Sequence, residues 1–173
     1  MSKDRKTGFL LRKMVENIPA MAENIDEIDL SLLRLVQKDA SLSVEALADQ
    51  VHLSRNACWR RIKRLEADGV IEKRVAILDP NAVGLGLQVI VLIRTNDHSA
   101  EWLRSFRQAV REMPEITAAQ RMTGDLDYVL RVRVQDVPAY DRFYQRLIEK
   151  VAIADVSASF VMEDVKDTTA LPI

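Results

Sequence analysis

Cysteine, glycine and proline are scarce in this chain of 173 residues, which has one cysteine, five glycines and five prolines. Because Cys58 has no second cysteine to pair with, a disulfide-stapled fold is excluded and a reducing, cytoplasmic location is expected. The low glycine and proline content excludes a collagen-like chain, and a hydrophobic content of 48% excludes a disordered one. The length suits one sizeable globular domain or two small ones.

Long apolar runs are also missing. The longest extends from Val89 to Ile93, far short of the ~20 residues that a membrane-spanning helix needs. Residues 1–23 begin with basic side chains, but the apolar stretch from Phe9 to Leu11 is too brief for a signal peptide. We interpret 1–23 as an N-terminal extension. It is either a short basic helix that ends at Pro19, or the product of a start codon upstream of the true start at Met21.

The charge is balanced, with 25 basic and 26 acidic side chains and a net charge of -1. Overall charge therefore does not predict a nucleic-acid partner. Between Ser54 and Leu65, however, five basic side chains occur with no acidic one among them. Such a run is usually only the solvated face of a helix, so the periodicity of the neighbouring residues has to decide its role.

Residues 24–74 predict three helices. Asp26 and Ser43 are suitable N-caps for the first two, and Ser54 is suitable for the third after a very short connection. In the third helix Cys58, Ile62 and Leu65 form an apolar stripe at helical spacing, which must pack on the other two helices. A short helix, a tight turn and a second helix with outward basic and amide side chains is the helix-turn-helix pattern.

The face opposite this stripe is the predicted DNA-reading surface. Asparagine and arginine side chains can form bidentate hydrogen bonds with base edges, whereas other cations suit phosphates. The alternative for Trp59 is burial in a seam between helices. The predicted DNA-binding residues are Asn56, Trp59, Arg60 and Lys63 for base edges, Arg55, Arg61 and Arg64 for the backbone, and Ser54 at the helix start.

The second half of the chain predicts an antiparallel sheet with two helices. Residues 70–78 predict a strand that leaves the helix-turn-helix unit, and residues 75–86 are interpreted as a linker strand and turn. Residues 87–173 then give the order strand, helix, strand, strand, helix, strand, which is the ferredoxin-like βαββαβ arrangement. Both helices lie on one face of such a sheet. The uncovered face predicts a homodimer, in which two recognition helices could read paired half-sites of double-stranded DNA.

Several motifs in order along residues 24–173 resemble the Lrp/AsnC family of transcriptional regulators. They are Leu53-Ser54 through Cys58, Arg64-Leu65-Glu66, Gly69-Val70-Ile71 and Gly124-Asp125-Leu126-Asp127-Tyr128. The resemblance implies an α+β protein with an N-terminal winged helix-turn-helix domain and a C-terminal ferredoxin-like (RAM) domain. It also implies dimers, often assembled into octamers, that bind an amino acid between subunits. Within the family the similarity is greatest to regulators of cysteine breakdown, so L-cysteine is the expected effector.

The same resemblance implies the effector site. Glycine lets a ligand carboxylate approach backbone N–H groups, and a nearby aspartate can accept a ligand ammonium group. The alternative is that the glycine and aspartates only serve a hairpin turn. The implied effector-binding residues are Thr123, Gly124, Asp125, Asp127 and Tyr128 in the turn, with Phe160 and Val161 on the last strand.

Three other functions are weighed against this interpretation. Some siroheme decarboxylases resemble the same two-domain architecture, but His98 is the only histidine in the second half and no metal-binding or nucleophile motif occurs. We therefore expect no enzyme activity, no cofactor and no metal. The second alternative is an amino-acid-binding dimer without direct DNA contact. The third is a redox sensor at Cys58, against which its place on the apolar stripe favours an inert core thiol.

Overall fold

A computed structural model describes residues 24–173, so the extension predicted for residues 1–23 lies outside the described residues. The described chain divides into two compact units. The first contains residues 24–77 together with 166–173, and the second contains residues 78–165. The last eight residues therefore belong to the first unit, whereas the sequence placed them with the second domain.

The first unit contains the predicted three helices, and each has the predicted N-cap. Asp26 and Asp29 form a reciprocal capping box, and the side chains of Ser43 and Ser54 accept hydrogen bonds from backbone N–H groups in their first turns. The helices are α1 (Glu27–Val36), α2 (Val44–Gln50) and α3 (Arg55–Ala67).

These helices enclose a small core. Leu32 on α1 and Leu47 on α2 are buried against Cys58 and Ile62 of α3, and Leu65 is buried on the same helix. The predicted apolar stripe of α3 is therefore confirmed. Because this side of α3 is buried, its opposite side is the one left to face solvent.

The segment after α3 differs from the prediction. Gly69 ends the helix with a φ of +73°, a left-handed conformation that glycine adopts without steric cost. The strand predicted for residues 70–78 is wrong: residues 72–79 have no regular secondary structure and are exposed. Alternating β-branched residues favour a strand only where a neighbouring strand accepts its hydrogen bonds, and among the described residues none pairs with this segment.

The second unit has the predicted βαββαβ order, and its four-stranded sheet is antiparallel throughout. The strand order across the sheet is β2-β3-β1-β4. The elements are β1 (Leu87–Arg94), α4 (Ala100–Glu112), β2 (Ile116–Arg121), β3 (Tyr128–Val134), α5 (Val137–Lys150) and β4 (Asp155–Phe160).

One face of this sheet packs on both helices. Val91 of β1 and Leu130 of β3 are fully buried with Phe143 and Leu147 of α5 and Phe106 of α4. Strand residues alternate between faces, and along β3 every second residue is buried while the residues between are only partly covered. The prediction that both helices lie on one face is confirmed, and dimerisation through the other face stays a prediction.

Aromatic rings close the core near the start of α4. The rings of Trp102 and Phe106 stack with centroids 5.1 Å apart, and Tyr128 lies 4.4 Å from Phe106. The indole Nε1–H of Trp102 donates a hydrogen bond to the carbonyl oxygen of Ala152 at 2.5 Å. This bond satisfies the only polar group of a buried indole and ties the segment after α5 to α4.

Candidate DNA-binding surface and effector turn

The outward face of α3 carries the residues predicted to contact base edges. Asn56, Trp59, Arg60 and Lys63 are all exposed, at the i, i+3, i+4 and i+7 spacing that places side chains on one helix face. The side chain of Trp59 is 51% exposed, so the alternative of burial in a helix seam is wrong. Contact between this face and DNA stays a prediction.

Lys63 already has an acidic partner on its own helix. Its Nζ lies 2.7 Å from Glu66 Oε2, and Arg74 approaches the other oxygen of Glu66 at 3.1 Å. These contacts, led by the hydrogen bond from Lys63, lower the pKa of Glu66 below its ordinary value. A base contact by Lys63 would have to replace the Glu66 contact.

Arg61 and Arg64 turn back toward α1. Arg61 Nη1 lies 2.7 Å from Asp26 Oδ2 and 2.9 Å from Asp29 Oδ1, and Arg64 Nη2 donates to Asp29 Oδ2. The Asp29 side chain is fully buried, whereas Arg61 and Arg64 keep part of their surface in solvent. No pattern in the sequence indicates the two arginine contacts of Asp29, because each pair is separated by more than thirty positions in the chain.

A concave surface lies beside these contacts. It has a volume of about 220 Å³ and is lined by Ala57, Arg60, Arg61 and Arg64. The lining residues lie on consecutive turns along one side of α3, and three of the four are cationic. The arrangement can hold a small anion, of which a DNA phosphate is the one that a helix-turn-helix meets.

The turn between β2 and β3 has the geometry of a closed hairpin. The backbone N–H of Met122 donates to the carbonyl oxygen of Asp127 at 2.8 Å, and Gly124 has a φ of +101°. Arg94 Nε donates to the carbonyl oxygen of Asp125 at 3.1 Å. Gly124 has open space where a side chain would stand, so a ligand can approach the backbone there.

Asp127 is the residue that fixes this turn. Its carboxylate accepts a hydrogen bond from the backbone N–H of Thr95 at 2.8 Å, and its own backbone N–H donates to the carbonyl oxygen of Ile93 at 3.0 Å. The carboxylate therefore has a structural role besides the predicted contact with a ligand ammonium. Tyr128 is buried in the aromatic core, so its ring faces away from the turn surface.

The comparisons with known proteins agree with both halves of the fold. A winged helix-turn-helix DNA-binding domain matches residues 25–72, and the Lrp/AsnC ligand binding domain matches residues 88–171. The DNA-binding transcriptional activator DecR of Escherichia coli K12 is 50% identical over 150 residues, which are 86% of this chain and 99% of that protein. The chain belongs to the Lrp/AsnC family of transcriptional regulators.

Other proteins similar to this chain are a regulator of glutamate uptake and two regulators of known structure. The glutamate uptake regulatory protein of Zymomonas mobilis is 46% identical over 88% of this chain and 93% of its own. A crystal structure of an AsnC family regulator from Agrobacterium tumefaciens is 51% identical with a TM-score of 0.83, and a regulator from Neisseria meningitidis in complex with L-Met is 31% identical with the same TM-score. Each covers 86% of this chain and 97% of the other.

In this Lrp/AsnC protein the seven predicted effector residues do not form one cluster within a protomer. The turn residues follow each other at the end of the sheet where Ile93 of β1 pairs with Tyr128. Phe160 pairs instead with Val89, four residues back along β1, and its ring packs edge-on against Tyr140 at 5.6 Å. At about 3.3 Å per residue, roughly 13 Å of strand separates the two groups. A single site made from both would need a second protomer.

A larger cavity, missed by sequence reasoning, lies at the opposite end of β3 from the turn. It has a volume of about 680 Å³ and is bordered by α5 and the end of β3, with Arg133, Arg142 and Arg146 among its lining residues. Arg146 is paired with Glu115, whose Oε2 atom is buried without a hydrogen-bond partner. These residues are widely spaced in the chain and match no motif, so the sequence gives no signal for them.

Among residues 24–173 no group of three or more histidine, cysteine, aspartate or glutamate side chains could hold a metal ion. No described helix is both long enough and apolar enough to cross a membrane.

Proposed function

We propose that this Lrp/AsnC regulator binds double-stranded DNA through α3 and responds to a small amino acid, L-cysteine, in controlling amino-acid metabolism. The observation that carries the DNA-binding assignment is the division of α3 into a buried apolar side and an exposed side of amide, indole and cationic groups. The cysteine assignment is supported by the resemblance of the sequence to regulators of cysteine breakdown, and the chain is 50% identical to the transcriptional activator DecR over 86% of its length. A cytoplasmic location follows from the DNA partner.

We infer that the effector lies at the turn containing Gly124. Calorimetric titration of the full chain with L-cysteine, L-glutamate, L-methionine and L-leucine tests the assignment, since relatives of this chain are named for glutamate uptake or crystallised with L-Met. The expected result is saturable binding in which L-cysteine is preferred. Binding of L-glutamate with L-cysteine inert would overturn the cysteine assignment and leave the DNA assignment intact.

We infer a homodimer formed through the open sheet face, with octamers as the larger assembly. Ile90 and Leu92 of β1 and Val129 of β3 are partly exposed apolar residues at positions that alternate with the helix-covered ones. A partner protomer would cover them. Sedimentation analysis with and without L-cysteine tests the assembly, and a monomer at micromolar concentration would contradict it.

We propose that the effector acts by changing the relative placement of dimers, and so the set of operators that can be bridged together. A ligand shifts such an equilibrium only by binding one arrangement more tightly than the other. Sedimentation of the protein–operator complex with and without L-cysteine should therefore give different stoichiometries. Identical complexes would argue against this mechanism.

An amino-acid-binding dimer that does not touch DNA is the main alternative. If a dimer neutralises on the order of eight phosphates, a plot of the logarithm of DNA affinity against the logarithm of salt concentration has a slope of about -7. Filter binding or fluorescence anisotropy at several salt concentrations measures this slope. Affinity that did not change with salt would favour the alternative.

We propose that the protein is a regulator without catalytic activity. The relatives at 50% and 46% identity are named as regulators, and fold alone does not decide function. Incubation with siroheme, followed by chromatography for decarboxylated product, tests the enzyme alternative. Turnover at catalytic rates would overturn the proposal.

A further inference from the structure

We propose that Asp29 is a positioning residue, which holds Arg61 and Arg64 so that they form, with Arg60 and Ala57, a cradle for one DNA phosphate. This cradle is the concave surface of about 220 Å³ on α3. The inference rests on the proposed docking of α3 on DNA. It adds a residue that lies on another helix and itself touches no DNA.

The buried carboxylate of Asp29 is fully occupied by groups from two helices. Oδ1 accepts from Arg61 Nη1 at 2.9 Å, and Oδ2 accepts from Arg64 Nη2 and from the backbone N–H of Asp26 at 3.2 Å. With the Asp29 side chain at 0% exposure, such an acid is tolerated because it is paired and hydrogen-bonded. Asp29 therefore joins α1 to α3 at the base of the cradle.

The two arginines are only partly used by this contact. Their side chains are 27% and 41% exposed, and each guanidinium has five N–H donors in a rigid fork. Arg61 and Arg64 contact the acids through one terminal nitrogen each, and within the described residues their other nitrogens have no hydrogen-bond partner. Those nitrogens remain available for a phosphate oxygen.

Arginines that are already held in place before DNA binds lose less conformational entropy on binding a phosphate. An unrestrained arginine loses its rotamer freedom when it binds a phosphate, whereas a side chain already fixed in the binding geometry loses less. Arg60, one turn after Ala57 on the same helix, also lines the cradle, so in this arrangement it contacts the phosphate instead of the base edge that the sequence predicted. One phosphate held by three guanidinium groups also sets the register of α3 in the groove, since phosphate contacts position the protein.

Simple charge counting and positioning predict opposite results when Asp29 is neutralised. Removing a negative charge near a phosphate should strengthen DNA binding by Coulomb's law. Loss of positioning should weaken it, because Arg64 would lose its acidic partner and Arg61 would keep only Asp26. Glu27→Gln is the control: it removes one negative charge from the first turn of α1, where Glu27 pairs with neither arginine, and it leaves Asp26 and Asp29 in place.

The experiment measures DNA affinity of the full chain by anisotropy on a random-sequence duplex over a range of salt concentrations. For Asp29→Asn we expect affinity to fall on the order of tenfold and the magnitude of the salt slope to decrease by about 1 for each recognition helix engaged. For Glu27→Gln we expect an affinity equal to or above that of the unmodified protein, with the same salt slope. Affinity gained or unchanged in Asp29→Asn, at an unchanged slope, would overturn the inference.

Two further measurements separate positioning from general destabilisation. Circular dichroism of the same samples shows that the variant is folded at the assay temperature. In an Arg61→Gln, Arg64→Gln background, Asp29→Asn should have no added effect on DNA affinity, because the residues through which it acts are gone. A further loss in that background would assign Asp29 a purely structural role and overturn the inference.

If Asp29→Asn does not fold, Arg64→Gln tests whether Arg64 belongs to the cradle. This variant should fold, because the buried carboxylate of Asp29 keeps Arg61 and the Asp26 N–H as partners. The slope magnitude should then fall by about 1 for each helix, and an unchanged slope would remove Arg64 from the cradle. Failure of the DNA-binding assignment itself is distinguishable. In that case the unmodified protein already shows no salt-dependent binding, whatever its variants do.

Discussion

The carboxylate of Asp127 accepts a hydrogen bond from the backbone N–H of Thr95 at 2.8 Å. This contact joins the turn between β2 and β3 to the residue that follows β1. The proposed effector site and the end of β1 are therefore joined in one hydrogen-bonded unit. A ligand ammonium group that approached Asp127 would share the carboxylate with this backbone donor.

The double role of Asp127 predicts different outcomes for two substitutions. Asp127→Asn removes the charge but keeps an oxygen that can accept from Thr95, so we expect effector affinity to fall at least about tenfold, the equivalent of 1.4 kcal/mol, with little change in stability. Asp127→Ala also leaves the Thr95 N–H without its acceptor, which should lower the free energy of unfolding by about 1–3 kcal/mol. Calorimetry and urea denaturation measure the two quantities.

Unliganded DNA binding is the control for both variants, and it should stay near the level of the unmodified protein. If Asp127→Asn binds the effector with normal affinity, Gly124 and the aspartates of the turn serve only to form the hairpin. In that case Arg142→Gln, which changes the separate 680 Å³ cavity, tests the other ligand-sized space in the same unit.

Substitution of Trp59 should weaken DNA binding without lowering the stability of the protein. Because its side chain is 51% exposed, Trp59→Ala should change the free energy of unfolding by no more than about 0.5 kcal/mol. Affinity for an operator duplex should fall at least about tenfold if the indole packs against base edges, an effect within the 1–3 kcal/mol typical of groove contacts. Leu65→Ala on the buried side is the contrast, since it should destabilise by about 2–5 kcal/mol. Unchanged operator affinity in Trp59→Ala would contradict the base-edge assignment.

The elements that sequence predicted well are those whose signals are local. The caps at Ser43 and Ser54 form the expected hydrogen bonds, and the stripe through Cys58 and Ile62 is buried as its spacing requires. A helix reports its own boundaries and its buried side through residues only three or four positions apart. The order of strands and helices in the second unit was predicted correctly for the same reason, since each element has its own local pattern.

The features that sequence could not predict depend on distant parts of the chain. The contact of Asp29 with Arg64 has no local pattern, because a capping acid and a helix cation look the same whether or not they meet. The segment after Gly69 alternates like a strand but lacks a neighbour to pair with in the described chain. The cavity near Arg142 arises where two elements meet, and no spacing rule describes it.

The C-terminal residues are the clearest case of such a long-range contact. Gln37, the C-cap residue of α1, donates from Nε2 to the carbonyl oxygen of Leu171 at 3.0 Å and accepts from the backbone N–H of Leu171 at 2.8 Å. Arg34 Nε donates to the carbonyl oxygen of Ile173 at 2.7 Å. The end of the chain is thus fastened to the first helix of the DNA-binding unit.

Gln37→Ala should therefore destabilise this unit although it lies far from the predicted DNA surface. Two hydrogen bonds are lost, each with a net value of about 0.5–1.5 kcal/mol, so we expect the free energy of unfolding to fall by about 1–3 kcal/mol. Lys38→Ala, an exposed neighbour on the same segment, is the control and should have little effect. Thermal denaturation followed by circular dichroism compares them, and equal melting temperatures would show that the tail contact contributes nothing.

Acid should weaken the first unit through Asp26. The backbone N–H of Asp29 and the guanidinium of Arg61 hold the pKa of Asp26 below its ordinary value. A lowered folded-state pKa means that the stabilisation is complete above the unfolded pKa of about 3.9 and is lost as the pH falls through the folded value. Urea midpoints measured from about pH 6 down to about pH 2.5 should decrease in this window. Asp26→Asn should show a shallower decrease, and an identical pH profile would contradict this assignment.

Because Cys58 is buried, we expect its thiol not to act as a sensor of oxidants. The residue is fully buried in the core of the helical unit, and desolvation raises the pKa of its thiol, so at neutral pH the nucleophilic thiolate is rare. In the native protein we expect labelling by a disulfide reagent to be at least about a hundredfold slower than in urea, since it requires unfolding with a free energy of several kcal/mol. Cys58→Ala is the blank for the labelling assay. Rapid labelling of the native protein, accompanied by loss of DNA binding that a reductant restores, would instead make Cys58 a redox switch.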